Sequence, residues 1–284
     1  MNKILLSNRA HGGRRLPAHL HALRVTTAAL LAAGTLICLP AQAAEEAEGN
    51  TLRLGAGVGL TSRYSGSDEN VVGPVLGIDY QMQNGFYAST TRGIGWGSKT
   101  GDLQYSLAVG YRGERKEKKE STFTGNSGSD KLKGMGDIKG SFTAMLSTSY
   151  TLTKWLSLSA MVETPLSQRT NGTAIHLGAA GTLYETKADT LSLGVTASIG
   201  DSKYLQTYYG VTAVQSGNSG FAAYKPKSGL YAVSTELSWV HQLDKNWSVT
   251  SLVGAVGLTG DASKSPIVKR KVSPNAAIFV SYSY

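Results

Sequence analysis

A period of two runs through almost the whole chain from residue 52 onward. Its cleanest stretch is Thr190 to Gly200. Leu191, Leu193, Val195, Ala197 and Ile199 share one face, and Ser192, Gly194, Thr196, Ser198 and Gly200 the other. Leu52, Leu54, Ala56, Val58 and Leu60 alternate in the same way with Arg53, Gly55, Gly57, Gly59 and Thr61. So do Phe142, Ala144, Leu146, Thr148, Tyr150 and Leu152 with the residues between them, and Tyr231, Val233, Thr235, Leu237 and Trp239 with theirs. Further runs lie near 71–81, 85–96, 103–112, 156–165, 173–185, 204–214, 247–258 and 275–284. Such alternation gives a sheet one apolar face. About twelve segments of roughly ten residues match the length a tilted strand needs to cross a bilayer. After residue 43, no amphipathic helix competes and no segment is apolar enough for a transmembrane helix.

Soluble sandwiches alternate too, so the second face decides. Here it is mostly Gly, Ser and Thr, which suits the tight interior of a small closed barrel. Tyr and Trp stand near segment ends on the apolar face: Tyr64, Tyr80, Trp96, Tyr111, Tyr150, Trp239, Trp247 and Tyr282. Amphipathic rings at strand ends resemble interfacial girdles. The expectation is an all-β fold, an antiparallel transmembrane β-barrel of about twelve strands. Gln83-Asn84-Gly85 is a tight hairpin signal, and three polar segments are longer: 113–138, 215–228 and 259–274. With both termini in the periplasm, four segments precede 113–138, so the count places that long loop on the periplasmic side; either one strand pair is miscounted, or the loop is an exception that docks a cell-wall enzyme there.

The two ends of the chain agree with export. Residues 1–24 carry Lys3, Arg9, Arg14, Arg15 and Arg24 and no acid; an apolar stretch from Val25 to Leu39 and Pro40-Ala41-Gln42-Ala43 follow. This is a signal peptide with an A-x-A site, so cleavage is expected between Ala43 and Ala44, leaving 44–284 as one barrel domain. The leader takes more than half of the formal net charge of +9 with it, and nucleic-acid binding loses its support. It also takes Cys38, the only cysteine, so the exported chain has no disulfide. At the other end Ile278, Val280, Tyr282 and Tyr284 form the apolar face of a last strand. That run reads as an assembly signal for the barrel-insertion machinery, which would then pair it with the strand near 52–64.

Catalysis has little to stand on. Beyond the leader only His176 and His241 remain. There is no G-x-S-x-G elbow and no Cys or His cluster with metal-ligand spacing, so no catalytic residue, metal or cofactor is assigned. Arg53, Glu163, His176 and Glu236 fall on the inner face as candidate lumen residues, the acids pairing with Arg53 or other inner bases. The run Arg112 to Glu120 is the densest charge feature. It reads as a solvated strand end and loop. Arg115, Lys116, Lys118 and Lys119 are its candidates for contact with lipopolysaccharide phosphate or a protein.

Several stretches resemble the MipA/OmpV family of outer-membrane proteins. They are Tyr64-Ser65-Gly66-Ser67-Asp68-Glu69 followed by Val75-Leu76-Gly77-Ile78-Asp79-Tyr80, Leu132-Lys133-Gly134-Met135-Gly136-Asp137-Ile138, and Tyr208-Tyr209-Gly210-Val211 leading to Gly229-Leu230. The fullest is Leu258-Thr259-Gly260-Asp261-Ala262-Ser263-Lys264-Ser265-Pro266-Ile267-Val268. Met135 and Lys139 depart from the usual form of the middle motif. The resemblance implies an outer-membrane barrel acting as a scaffold, holding a murein lytic transglycosylase near a murein synthase. Two other classes stand beside it: a narrow channel for small solutes, and an enzyme acting on lipid or lipopolysaccharide.

Overall fold

The computed structural model describes residues 49–122 and 125–284, so the expected signal peptide and its cleavage site at Ala43 and Ala44 lie outside the described residues. Five strands open the fold: β1 (Thr51–Ser62), β2 (Asn70–Gln81), β3 (Phe86–Ser89), β4 (Gly93–Thr100) and β5 (Leu103–Arg112). A two-stranded hairpin, β6 (Glu120–Thr122) and β7 (Gly125–Ser127), lies in the next connection. Then come β8 (Ser141–Thr153), β9 (Leu156–Pro165), β10 (Ala174–Glu185) and β11 (Asp189–Gly200). Two helices follow, α1 (Ser202–Tyr209) and α2 (Ala213–Ser219), before β12 (Gly229–Gln242), β13 (Trp247–Leu258) and β14 (Val272–Ser283).

All strands but β6 and β7 form one closed barrel in sequence order, each antiparallel to its neighbours, and β14 returns to pair with β1. The seam is in register from Arg53↔Ser283 to Leu60↔Ala276, and the Tyr284 N–H donates to the Leu52 carbonyl at 2.9 Å. Glycine is required at the seam. A Cβ on Gly57 would strike the Ile278 carbonyl and Phe279, whose ring is buried over β1 from the inside.

The outward positions carry the apolar residues. Val72, Leu76, Ile94, Leu107, Phe142 and Leu146 are each more than half exposed. In water such a belt would be an aggregation surface; in hydrocarbon it is the ordinary outer wall of a spanning barrel. Closure leaves most strands laddered on both sides over most of their length, as lipid demands, with β2 the exception: it meets β3 only through Asp79, Tyr80 and Gln81. Trp96, Tyr150, Trp239, Trp247 and Tyr284 stand on this outer wall near one rim. Tyr64 does not join them: it lies past the end of β1, 1% exposed, inside the opposite end.

The count of twelve holds, although two segments behave otherwise than the alternation predicts. Residues 85–96 form a short hairpin, β3 and β4, turning at Thr90-Thr91-Arg92 with Gly93 at φ 77°. Residues 204–214 lie in α1 and the start of α2. One strand more and one fewer leave the total unchanged but move everything between them by one position. Five strands now precede the connection 113–140. It therefore lies at the same end as 63–69, 166–173, 201–228 and 259–271, while the start of β1, the end of β14 and the short turns at 82–85, 101–102, 154–155, 186–188 and 243–246 lie at the other. The periplasmic placement of 113–138 is thus overturned for a chain whose termini face the periplasm.

Candidate functional site

The long-loop end is closed by a folded cap, and α1 is its centre. Asp201 starts the helix: its carboxylate accepts from the Tyr204 N–H at 2.7 Å and from the Thr173 N–H at 3.0 Å, tying helix start to β10 entry. One face of α1 then carries Tyr204, Leu205 and Tyr209, all buried, against Ala174, Tyr231, Leu258 and Ala262. The Tyr204 hydroxyl donates to the Tyr231 hydroxyl at 3.1 Å, and their ring centroids are 4.9 Å apart. Burial pushes the Tyr204 and Tyr209 hydroxyls up, so both stay neutral and hydrogen-bonded.

A second cluster joins the other loops: Tyr64, Leu132, Met135, Val211 and Ile267, with Phe221 and Tyr224 against it. Tyr64, its phenol pushed up to about 12 mainly by burial, donates to the Ile267 carbonyl at 3.0 Å. Around it run ion pairs: Lys131 with Asp68 at 2.6 Å and Lys119 with Glu69 at 2.9 Å join 113–140 to 63–69, and Lys116 with Asp137 at 3.3 Å lies within 113–140. The Ser129 hydroxyl also donates to Glu69 at 2.6 Å.

Two arginines sit beneath the cap. Arg112 makes a buried ion pair with Glu163 at 2.9 Å and donates to the carbonyls of Asn171 and Gly172 at 3.1 and 2.9 Å. Its guanidinium lies 5.0 Å from the Tyr204 ring centroid. Arg115 is 7% exposed and donates to the Tyr208 carbonyl at 2.8 Å; its Nε has no partner among the described residues. Burial pulls Arg115 down to about 10, which still leaves a cation at neutral pH. Of the charged run, then, Arg112 and Arg115 point inward and hold the cap. Arg115 does not face a partner as the sequence suggested. Lys116 and Lys119 are engaged in the loop ion pairs, and Lys118 is exposed.

The other inner-face residues line the wall below. Glu163, His176 and Glu236 are each under 4% exposed. Glu163 finds Arg112 as its base, not Arg53. Arg53 Nε donates to the Ser283 hydroxyl at 3.0 Å beside the seam. Glu236 meets Asn275 at 3.5 Å. His176 Nδ1 and the Ser198 hydroxyl are 2.9 Å apart, across neighbouring strands and sealed under the cap. The pair links β10 to β11 on the inner wall. His241 is at the far rim, on the outer face, bonded to Asp189 at 2.8 Å beside Trp239. Among the described residues no three acidic, His or Cys side chains converge as a metal site. The lumen itself is packed in two places, by Val75, Leu252, Ala277 and Phe279 on one side and Tyr87, Ala108, Met145 and Met161 on the other.

Residues 54–284 match the family model described as MltA-interacting protein MipA. The chain belongs to the MipA family. The matched span of this MipA member begins inside β1 and ends on the last residue of the chain, so the whole cap and all of the barrel but the first residues of β1 lie within it. No curated protein matches. Among solved structures, the KdgM porin superposes with a TM-score of 0.44 at 11% identity over 82% of this chain and 99% of its own. The NanC porin gives 0.45 at 10% identity over 81% and 98%, and the toluene transporter TodX of Pseudomonas putida 0.31 at 11% identity over 87% and 92%. The arginine layer is what sequence reasoning missed. Its only signal was that Arg112 falls on the inner face of its strand, in phase with Gly110 and Ala108.

Proposed function

We propose that this protein is an interaction barrel of the outer membrane, anchored by its wall and closed at its mouth, that holds a murein lytic transglycosylase, and through it a murein synthase, at its short-turn end. The family name supplies the partner. The observation that carries the scaffold reading over the channel reading is the cap: α1 and the loops fill the mouth with buried aromatics over the Arg112–Glu163 pair. A solute path would need that buried, charge-anchored layer to leave. Outer-membrane barrels keep short turns in the periplasm and long loops outside, which faces the cap outward and the turns at 154–155 and 186–188 toward the cell wall. The expected signal peptide supports export to that membrane.

Photo-crosslinking amino acids at Lys154 and Lys187, in living cells, test the reading. Adducts with a murein lytic transglycosylase are expected from both sites, and none from a crosslinker at Lys118 in the cap. Adducts from Lys118 alone would reverse the orientation, and their absence everywhere would remove the scaffold. In planar bilayers the purified barrel is expected to be silent; steady, ion-selective conductance would make it a channel.

A further inference from the structure

The barrel wall has a notch. β2 is twelve residues long, yet it pairs with β3 only through Asp79, Tyr80 and Gln81. The β3–β4 hairpin turns back just above, Ser89 facing Gly93, and β4 meets β5 only from Ile94↔Val109 downward. Residues 70–77 of β2 therefore have no ladder partner on that side among the described residues, while on the other side they pair with β1 throughout. Eight residues are about 27 Å of open edge. The β6–β7 hairpin lies beside β2 but forms a separate sheet.

The backbone shows which groups are left open. Ile78 turns both of its polar groups toward the hairpin: its N–H donates to the Thr90 hydroxyl at 3.2 Å and its carbonyl accepts from the Thr90 N–H at 2.9 Å. Alternate residues of an extended strand point the same way, so Val72, Pro74 and Leu76 present theirs to the notch. Proline belongs where no N–H is called for, and Pro74 stands at such a position. A strand edge at membrane depth survives only against protein or a wetted cavity. The surroundings are amphiphilic. Val72, Leu76 and Ile94 are 63%, 53% and 71% exposed on the outer wall. Of the run Lys269-Arg270-Lys271, Arg270 stands over the head of β2. The N–H groups of Lys269 and Arg270 are both fixed to the Gly66 carbonyl, at 2.7 and 3.0 Å. Arg270 reaches Ser62 at 3.2 Å and Asn70, and its Nε is buried without a partner among the described residues. Lys269 and Lys271 are exposed, Lys269 with its Nζ donating to the Pro266 carbonyl at 3.3 Å and lying 4.7 Å from the Phe221 ring centroid.

We propose that the notch is a lateral binding site for an anionic amphiphile of the outer leaflet, a phosphorylated glycolipid. Its acyl chain lies along Val72, Leu76 and Ile94, its polar linkages meet the open backbone groups of Val72 and Leu76, and its phosphate sits under Lys269, Arg270 and Lys271. The assignment rests on the outward orientation of the cap given above.

Amide exchange, read residue by residue on the exported chain in vesicles, tests it. In phosphatidylcholine alone the Val72 and Leu76 amides are expected to exchange on the order of a hundredfold faster than those of Val71 and Val75, which face β1. Adding lipid A slows the two open amides by about tenfold or more, phosphatidylglycerol does not, and K269A/R270A/K271A abolishes the slowing. Equal protection of all four amides in phosphatidylcholine would mean a closed wall and overturn the notch. No response to lipid A, or the same response to phosphatidylglycerol, would overturn the glycolipid. None of these readings depends on whether a transglycosylase is captured at the turns.

Discussion

Glu163 shows how one carboxylate can hold the two halves of the molecule together. It projects from β9 into the lumen and neutralises Arg112, on which α1 rests its Tyr204 ring. Replacing Glu163 by Gln leaves a buried cation facing a neutral amide. Removing one member of a buried pair costs about 3–5 kcal/mol, so the E163Q barrel is expected to unfold at clearly lower urea, read by the mobility shift of folded against unfolded barrel on gels. Replacing both members, R112M with E163L, is expected to restore most of the loss, since the pair's net contribution over apolar packing is small. The inward direction of Glu163 was legible in the period of its strand. Its partner was not, because Arg112 opens a run of nine residues crowded with charge, the usual signature of a solvated loop. What buries Arg112 and Arg115 is a helix some ninety residues further along the chain, and no local pattern announces that.

At the scale of elements, alternation is a reliable guide to the wall and a poor guide to its interruptions. Phe86 and Ala88 of β3 and Ile94 and Trp96 of β4 all point outward. The turn between them spans an even step, so the period of two passes through it unbroken and 85–96 reads as one strand. The only local sign is Gly93 in the left-handed region. Residues 204–214 fail for the opposite reason. Tyr204, Leu205 and Tyr209 are buried at helical spacing, but the aromatic richness of the stretch suits a strand equally well. Asp201 decides it by capping the first turn. D201A is expected to cost about 1 kcal/mol, felt by the cap alone. Limited proteolysis should then cut within 202–228 faster than in the parent chain, leaving a heat-modifiable barrel intact; an unchanged cutting rate would remove Asp201 from that role.

For the molecule as a whole, barrel and cap answer to different conditions. Backbone ladders hold the barrel, and these do not titrate. The cap is stitched by carboxylates held below their ordinary range: Asp68 by Lys131, Glu69 by Ser129 and then Lys119, Asp137 by the Glu117 N–H and then Lys116. A carboxyl whose folded pKa is depressed contributes stability above its unfolded value, about 4, and loses it as pH falls through the folded value. Loops 63–69 and 113–140 are therefore expected to loosen together as the pH falls below about 4, seen as faster amide exchange there while β8 to β13 keep their protection. Exchange that rises equally in wall and cap would contradict this division.

The seam between β1 and β14 also sets a timetable. The first strand made is the partner of the last, and the Leu52 carbonyl waits for the N–H of the final residue. Contacts this distant in sequence form late and slowly. While the ribosome is still at work, every completed strand is a sheet with two unfinished edges, and a message cut short by a single strand leaves a product that can never become a cylinder. The wall therefore cannot close until β14 is there to meet β1, which makes its biogenesis a matter of custody before it is a matter of folding.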